Sequence, residues 1–328
     1  MSGIVHPRAV IGGGSGYLGT ALRDALRIDG YDVRMIGRTG ADARWDDEAS
    51  MLRLIDGAQI VIGLAGARID RRYTDRNRTE ILGSRLRTTA ALHRAIAGAV
   101  RPPAVWLNGS SATAYRYSLD EQRTEADPLV EKGFSPDVTR EWEAALFAGD
   151  LPGTRRIALR TSLVLGRDAP VMHLLLRLAR LGLGGPQFDG WWFPHRRYRG
   201  IGEHATEPDR PDFARSGGRQ RMSWMHERDF VDAVRFLRDH DGISGPVNMA
   251  SPHAVTNIEF MAALRRGVGV PFGMPTPRFL LEPAMAVLRT ESELLLKSRW
   301  VVPQVLEDAG FSFAYPQLDS AVREITGR

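Results

Sequence analysis

The 328-residue chain contains no cysteine. Disulfides and cysteine-ligated metals are therefore excluded, and no metal site is expected. Lysine is almost absent as well: only Lys132 and Lys297 interrupt a basic complement that is otherwise arginine. Neither lysine has a tyrosine four residues before it. No run approaches the roughly 20 apolar residues of a membrane span. The amino-terminal residues lack a signal-peptide pattern, so a cytoplasmic location is expected and a membrane partner is not. The net charge of +5 comes from arginines spread along the whole chain. Nucleic-acid binding usually shows a clustered basic face, so no nucleic-acid partner is expected. A few of these guanidiniums suit forked bonds to phosphate.

What is present is an alternation of short apolar runs and amphipathic stretches. Strands are expected over 8–12, 32–36, 58–64, 104–108 and 156–165, with a late one over 246–250. Between them, Leu18, Leu22 and Leu26 recur at helical spacing, as do Ile81, Leu82 and Leu86. Strands alternating with helices imply α/β architecture with a parallel sheet and right-handed crossovers. Residues 190–217 differ in kind: rich in Gly, Pro and Arg, they have no helical or strand period and read as a long loop. The tail from about 275 reads as mostly helical.

The run "AVIGGGSGYLGTAL" places a glycine turn between the first strand and the first helix. Gly14, Gly16 and Gly19 satisfy one dinucleotide spacing, and Gly13, Gly16 and Gly19 satisfy another. Either puts backbone against a pyrophosphate at a helix N-terminus. The turn, with Ser15, Tyr17 and Leu18 on it, is expected to hold a dinucleotide. The second strand ends in Gly37-Arg38. An NAD site places an acid there for the ribose 2′-hydroxyl. Arg38 instead favours the 2′-phosphate of NADP (NADPH).

With these residues in hand, the chain resembles atypical extended short-chain dehydrogenase/reductases, and more closely the NAD(P)-dependent epimerase-family proteins that end in a small domain of unknown function. The marks are "GGGSGYLG", "RRYTDRNRTEILGSRLRTT", "GSSATAYRY", "ALRTSLVLGR", "GRQRMSWMHERDFV" and "VPQVLEDAGFSFAYP". The resemblance implies a Rossmann-like doubly wound parallel sheet with a smaller C-terminal α/β domain on the substrate side. The expected division is 1–165, with 220–250 returning to it, against 166–219 and 251–328. The smaller part includes the insertion at 190–217 and the helical domain at 275–328. The resemblance also implies that Leu64, Ala65, Glu80, Arg85 and Leu163 line the cofactor.

Typical short-chain reductases use Ser, Tyr and Lys. Ser111 matches the Ser, but in "GFSPDVTREWE" the Tyr and Lys positions are Ser135 and Thr139. That helix is expected to pack structurally, with Trp142 in the core and Phe134 at its start. Tyr115, just past Ser111 at a strand's carboxyl end, is the first candidate proton donor. His226 is the second, because it titrates near neutral pH; a structural bond from it to Asp229 is the competing expectation. Two functions remain open: an NADP-dependent oxidoreductase or epimerase of a small polar, sugar-like molecule, or an NADPH-binding regulatory or interaction protein without chemistry. The insertion is expected to form a lid. Its aromatics Trp191, Trp192 and Phe193 would dock on the small domain or on a second subunit, Arg196, Arg197 and Arg199 would favour an anionic substrate, and residues 207–212 would stay mobile.

Overall fold

The computed structural model describes residues 6–202 and 215–328. Its strands are β1 (Arg8–Gly12), β2 (Asp32–Gly37), β3 (Ala43–Arg44), β4 (Ile60–Gly63), β5 (Val105–Ser111), β6 (Arg155–Thr161), β7 (Leu163–Leu165), β8 (Arg221–Met222), β9 (Trp224–His226), β10 (Gly245–Met249) and β11 (Val255–Thr256). Its helices are α1 (Tyr17–Ile28), α2 (Glu48–Ile55), α3 (Asp75–Ala97), α4 (Phe134–Phe147), α5 (Pro170–Arg180), α6 (Glu227–Asp239), α7 (Asn257–Val268), α8 (Arg278–Val287), α9 (Glu293–Leu296), α10 (Gln304–Asp308) and α11 (Leu318–Thr326). None is long and apolar enough to cross a membrane among the described residues.

Seven strands form one parallel sheet in the order β10-β6-β5-β4-β1-β2-β3. Strands covered on both faces read as unbroken apolar runs, and "AVI" in β1 and "IVI" in β4 do so. Alternate side chains go to opposite faces. Ala9 and Ile11 pack with Leu22 and Leu26 of α1 and with Phe230, Val234 and Leu237 of α6. Val10 goes to the other face with Met51 of α2, Leu92 and Ile96 of α3 and Leu146 of α4. The strand order reverses between β1 and β4, so a crevice opens at their carboxyl ends, the usual ligand position in such sheets.

The run expected as one strand over 156–165 is two. Ser162 leaves the sheet, its backbone N–H and hydroxyl both donating to the Met249 carbonyl, at 3.1 and 2.8 Å. β7 then pairs with β9 instead. Beyond it, α5, α7 and α11 pack around Trp224 in a second core. The tail does not stay with that core: Leu306 of α10 is buried in the main core beside the sheet.

Within this chain the aromatics of the insertion do not dock on the small domain. Trp191 and Phe193 are 52% and 61% exposed, and they stack edge-on with each other rather than entering a core. Arginines anchor the segment instead. Arg197 pairs with Glu282 and Glu291, each at 3.2 Å, and Arg199 pairs with Asp75 at 2.7 Å. Buried Arg78 donates to the carbonyls of Arg197 and Gly200. Of the insertion's cations, Arg197 and Arg199 are thus already committed to carboxylates of this chain. Residues 207–212 lie outside the described residues.

A buried ion pair ties β6 to α4. Arg160 grips both Glu143 oxygens at 2.9 Å, with 5% and 8% of the two residues exposed. Removing one partner leaves the other charged and unpaired inside the protein, which costs about 3–5 kcal/mol. Glu143→Ala is expected to lose that much in urea unfolding. A loss under about 1 kcal/mol would show that the pair is not a fixed element of the fold.

Candidate cofactor and active site

The glycine turn crosses the crevice. The Gly13 N–H donates to the Ile36 carbonyl at 3.0 Å, and the Leu64 N–H donates to the Gly12 carbonyl at 2.8 Å. These bonds hold the ends of β1, β2 and β4 together. Gly13 has φ +81°, and a Cβ there would lie 2.6 Å from the Ala65 nitrogen. A Cβ on Gly19 would lie 2.5 Å from the Gly14 Cα, so the first turn of α1 lies directly on the loop. Gly16 caps α1 without a side-chain hydrogen bond, and the first turn carries no acid. Its N–H groups are placed for an anion.

Two chambers meet at this turn. The larger, about 1060 Å³, runs from Gly13, Ser15 and Gly16 past Gly37, Arg38 and Trp45 to Leu64, Ala65 and Glu80. Three other arginines on its wall are paired: Arg68 with Asp70, Arg87 with Glu80 at 3.4 Å and Arg94 with Glu48 at 2.8 Å. Arg38 is exposed and has no ion pair among the described residues. The residue after β2 is Arg38 rather than an acid, and the nearby Asp42 and Asp46 are paired with Arg34 and Arg44. The glycine cradle, the uncapped helix and the free Arg38 together fit an NADP-type dinucleotide.

The smaller chamber, about 400 Å³, is bounded by Gly13, Gly16, Tyr17, Leu18, Leu64, Arg85, Ser111, Thr139, Trp142 and Thr161. Arg85 is buried and donates to the carbonyls of Ala67 and Ile81 at 3.0 and 2.9 Å. Its guanidinium lies 4.8 Å from the Trp142 ring centre, and burial pushes its pKa down to about 10. No carboxylate pairs with it, so it presents positive charge to the chamber.

Ser111 ends β5 at this chamber. Its Oγ accepts from the Thr113 N–H at 3.3 Å and from the Thr113 hydroxyl at 3.1 Å. The Thr113 hydroxyl in turn accepts from Ser135 at 2.9 Å. Thr139 donates to the Ser135 carbonyl at 3.1 Å, and its hydroxyl lies 3.4 Å from that of Thr113. Ser135, at the expected Tyr position, therefore feeds a chain of hydroxyls that ends on Ser111, and Thr139, at the expected Lys position, packs beside it. With its acceptor side filled from behind, Ser111 keeps its own hydrogen for the chamber.

The structure separates the other two candidate donors from this chain. Tyr115 is 0% exposed and bounds neither chamber. Its hydroxyl donates to Asn248 and accepts from Arg160, at 2.8 and 2.7 Å, and burial pushes its pKa up to about 12. A phenol with both roles filled inside the core has no proton to give the chamber. His226 caps α6, accepting from the Arg228 N–H at 3.2 Å, while its other nitrogen lies 3.1 Å from Glu324. It does not bond Asp229, whose oxygens accept from the N–H groups of Ala314 and Tyr315. Leu163 bounds neither chamber, and Thr161, two residues earlier, does. Sequence reading missed Thr113, whose only signal was its hydroxyl two residues after Ser111. It also missed Trp45, which lies under Gly12.

Comparison with known proteins gives the same picture from another direction. Residues 9–137 match the model of the NAD dependent epimerase/dehydratase family, and residues 276–325 match a domain of unknown function, DUF1731. The epimerase family protein SDR39U1 of Bos taurus is 32% identical over 97% of this chain and 99% of its own length. The epimerase family protein ML0860 of Mycobacterium leprae is 30% identical over 97% and 95%. The crystal structure of human SDR39U1 (isoform 2) with NADPH superposes with a TM-score of 0.82, at 28% identity, covering 98% of this chain and 99% of that one.

A substitution at the turn probes the cradle directly. Gly13→Ala forces a side chain into the left-handed region, at about 1–2 kcal/mol, before any contact with Ala65 is relieved. Urea unfolding is expected to show at least that loss. An unchanged midpoint would mean that the turn is not held as described.

Proposed function

This chain belongs to the NAD-dependent epimerase/dehydratase family, and we propose that it is an NADPH-dependent reductase of a small polar carbonyl compound in which Ser111 polarises the reacting oxygen. One observation carries the reading: the Ser111 hydroxyl is filled from behind by Thr113 and left with its hydrogen toward the chamber below the glycine turn. NADPH, when bound, supplies the hydride. Its presence in the crystal structure of human SDR39U1 supports the choice of nucleotide, as does Arg38 at the end of β2.

The residues around Ser111 bear on which step they can assist. Among the described residues, Ser111 has behind it the Thr113 N–H and the hydroxyls of Thr113 and Ser135, with no carboxylate or imidazole bonded to them. A hydroxyl without a strong base does not remove a proton from an alcohol at neutral pH. It can donate to a carbonyl oxygen that becomes basic as the carbon is reduced. Ser111 donates its hydrogen bond to that oxygen, held in place by Thr113, which is in turn held by Ser135, and the proton that completes the alcohol comes from water in the chamber. Arg85 stabilises the negative charge that develops in the chamber. Net reduction is therefore favoured over epimerisation, which needs proton removal and return.

Two outcomes test this. A charge-assisted bond of the Arg38 kind contributes roughly 1.5–3 kcal/mol. Arg38→Ala is expected to weaken NADPH binding about 10- to 100-fold in a fluorescence titration and to leave NADH binding almost unchanged. Equal affinities of the parent for NADPH and NADH would end the assignment. In a screen of small hydroxy- and keto-carbonyl compounds followed by NADPH oxidation, Ser111→Ala should lower kcat by roughly 10²-fold or more, with NADPH affinity kept. NADPH binding without oxidation of any compound would favour the binding-protein reading instead.

A further inference from the structure

Behind Thr113 and Ser135 lies a buried polar cluster that the hydroxyl chain does not use. The stretch containing α9 lies over Tyr73 and Thr113. Glu291 accepts from the Tyr73 N–H at 2.8 Å, and Lys297 donates to the Thr113 carbonyl at 3.2 Å. Tyr73 is 2% exposed, and its hydroxyl, beside Ser135, makes no hydrogen bond of good geometry. The Nε and one Nη of Arg299 are sealed from solvent and also lack a partner. Polar atoms buried without partners are rare, because each costs the desolvation of its group, and in a native protein they point to an absent ligand or water.

The charges around these atoms do not balance. Arg72 and Arg197 share Glu291, Arg197 and Arg278 share Glu282, and Lys297 pairs with Glu131 at 3.4 Å. Arg78 bonds carbonyls, and the Nε and one Nη of Arg299 have no partner among the described residues. Arg278 aside, five cations among the described residues face four carboxylates, the fourth being Glu293 near Arg299. Burial lowers the pKa of both Lys297 and Arg299, as it does for cations short of counter-charge.

We infer that Arg299, with the Tyr73 hydroxyl, forms an anion-receiving subsite next to Ser111, which takes the carboxylate or phosphate group of the substrate. An oxyanion there would accept from the free Arg299 N–H groups and from Tyr73, and would supply negative charge that the cluster lacks. It would hold a carbonyl on the same molecule toward Ser111. This deepens the reading of the chain as a reductase and rests on it: the substrate class narrows to small anionic carbonyl compounds.

The test uses protein saturated with NADPH, so that the sites for the phosphates of the dinucleotide are filled. It is titrated with inorganic phosphate and, separately, with malonate, following binding heat and Tm. The parent is expected to bind one of the two, and which one distinguishes phosphate from carboxylate. Arg299→Met should weaken that binding at least about tenfold, and Tyr73→Phe should weaken it less. Without anion, Arg299→Met should melt at or above the parent, since it removes an unpaired buried charge. The inference is overturned if neither anion binds, if both bind Arg299→Met as well as the parent, or if Arg299→Met melts several degrees lower while Tyr73→Phe keeps full anion affinity. Failure to bind NADPH would instead remove the preceding reading; the same comparison of parent and Arg299→Met, made without nucleotide, still decides the subsite.

Discussion

The position of the whole site depends on one carboxylate, that of Glu143. It sits on α4, yet it accepts from Ser110 on β5 at 2.5 Å and from Arg160 on β6. Arg160 passes the network to Tyr115, Tyr115 to Asn248 on β10, and Asn248 to the Val302 carbonyl in the tail. In a low-dielectric interior such groups must all be partnered together, because any one left over is costly. The network therefore fixes α4 against the carboxyl ends of three strands. That register brings Ser135 and Thr139 to Thr113, and Thr113 to Ser111.

Arginine takes unusual roles around this frame. Several of its side chains are structural ties whose partners are backbone carbonyls rather than acids. Arg78 holds the insertion, Arg155 holds the end of α6 through the carbonyls of Leu237 and Ile243, and Arg85 holds Ala67 and Ile81. A planar guanidinium with five donors suits that work, where an ammonium would be more strongly hydrated and less directional. The same chemistry leaves positive charge inside the protein. In the smaller chamber, Arg85 presents that charge on the same wall as Ser111.

Within one chain, the insertion is fastened by charge rather than by its aromatics. Three adjacent aromatics suggested burial, but neighbours in sequence can satisfy one another first, and Trp191, Trp192 and Phe193 pack edge-on among themselves. The residues that fasten the segment are Arg197, Arg199 and the buried Tyr198. Their partners, Glu282, Glu291 and Asp75, lie on α8, before α9 and on α3, far apart in the chain. No local pattern announces such pairings.

The sequence by itself determined the parallel sheet, the glycine turn and the dinucleotide end of the site, because these rest on local signals. Apolar runs mark strands covered on both faces, helical spacing marks α1 and α3, and Gly13 and Arg38 sit at fixed offsets from strand ends. It also showed that α4 lacks Tyr and Lys. Only the tertiary structure decided what replaces them. Tyr115 and Asn248 meet across 133 positions, and Lys297 reaches Thr113 across 184. Whether Tyr115 faces the chamber or the core depended on Arg160 and Asn248 being there to receive its hydroxyl. That is a long-range choice, set by the need to satisfy every buried polar atom at once, and no spacing along the chain encodes it.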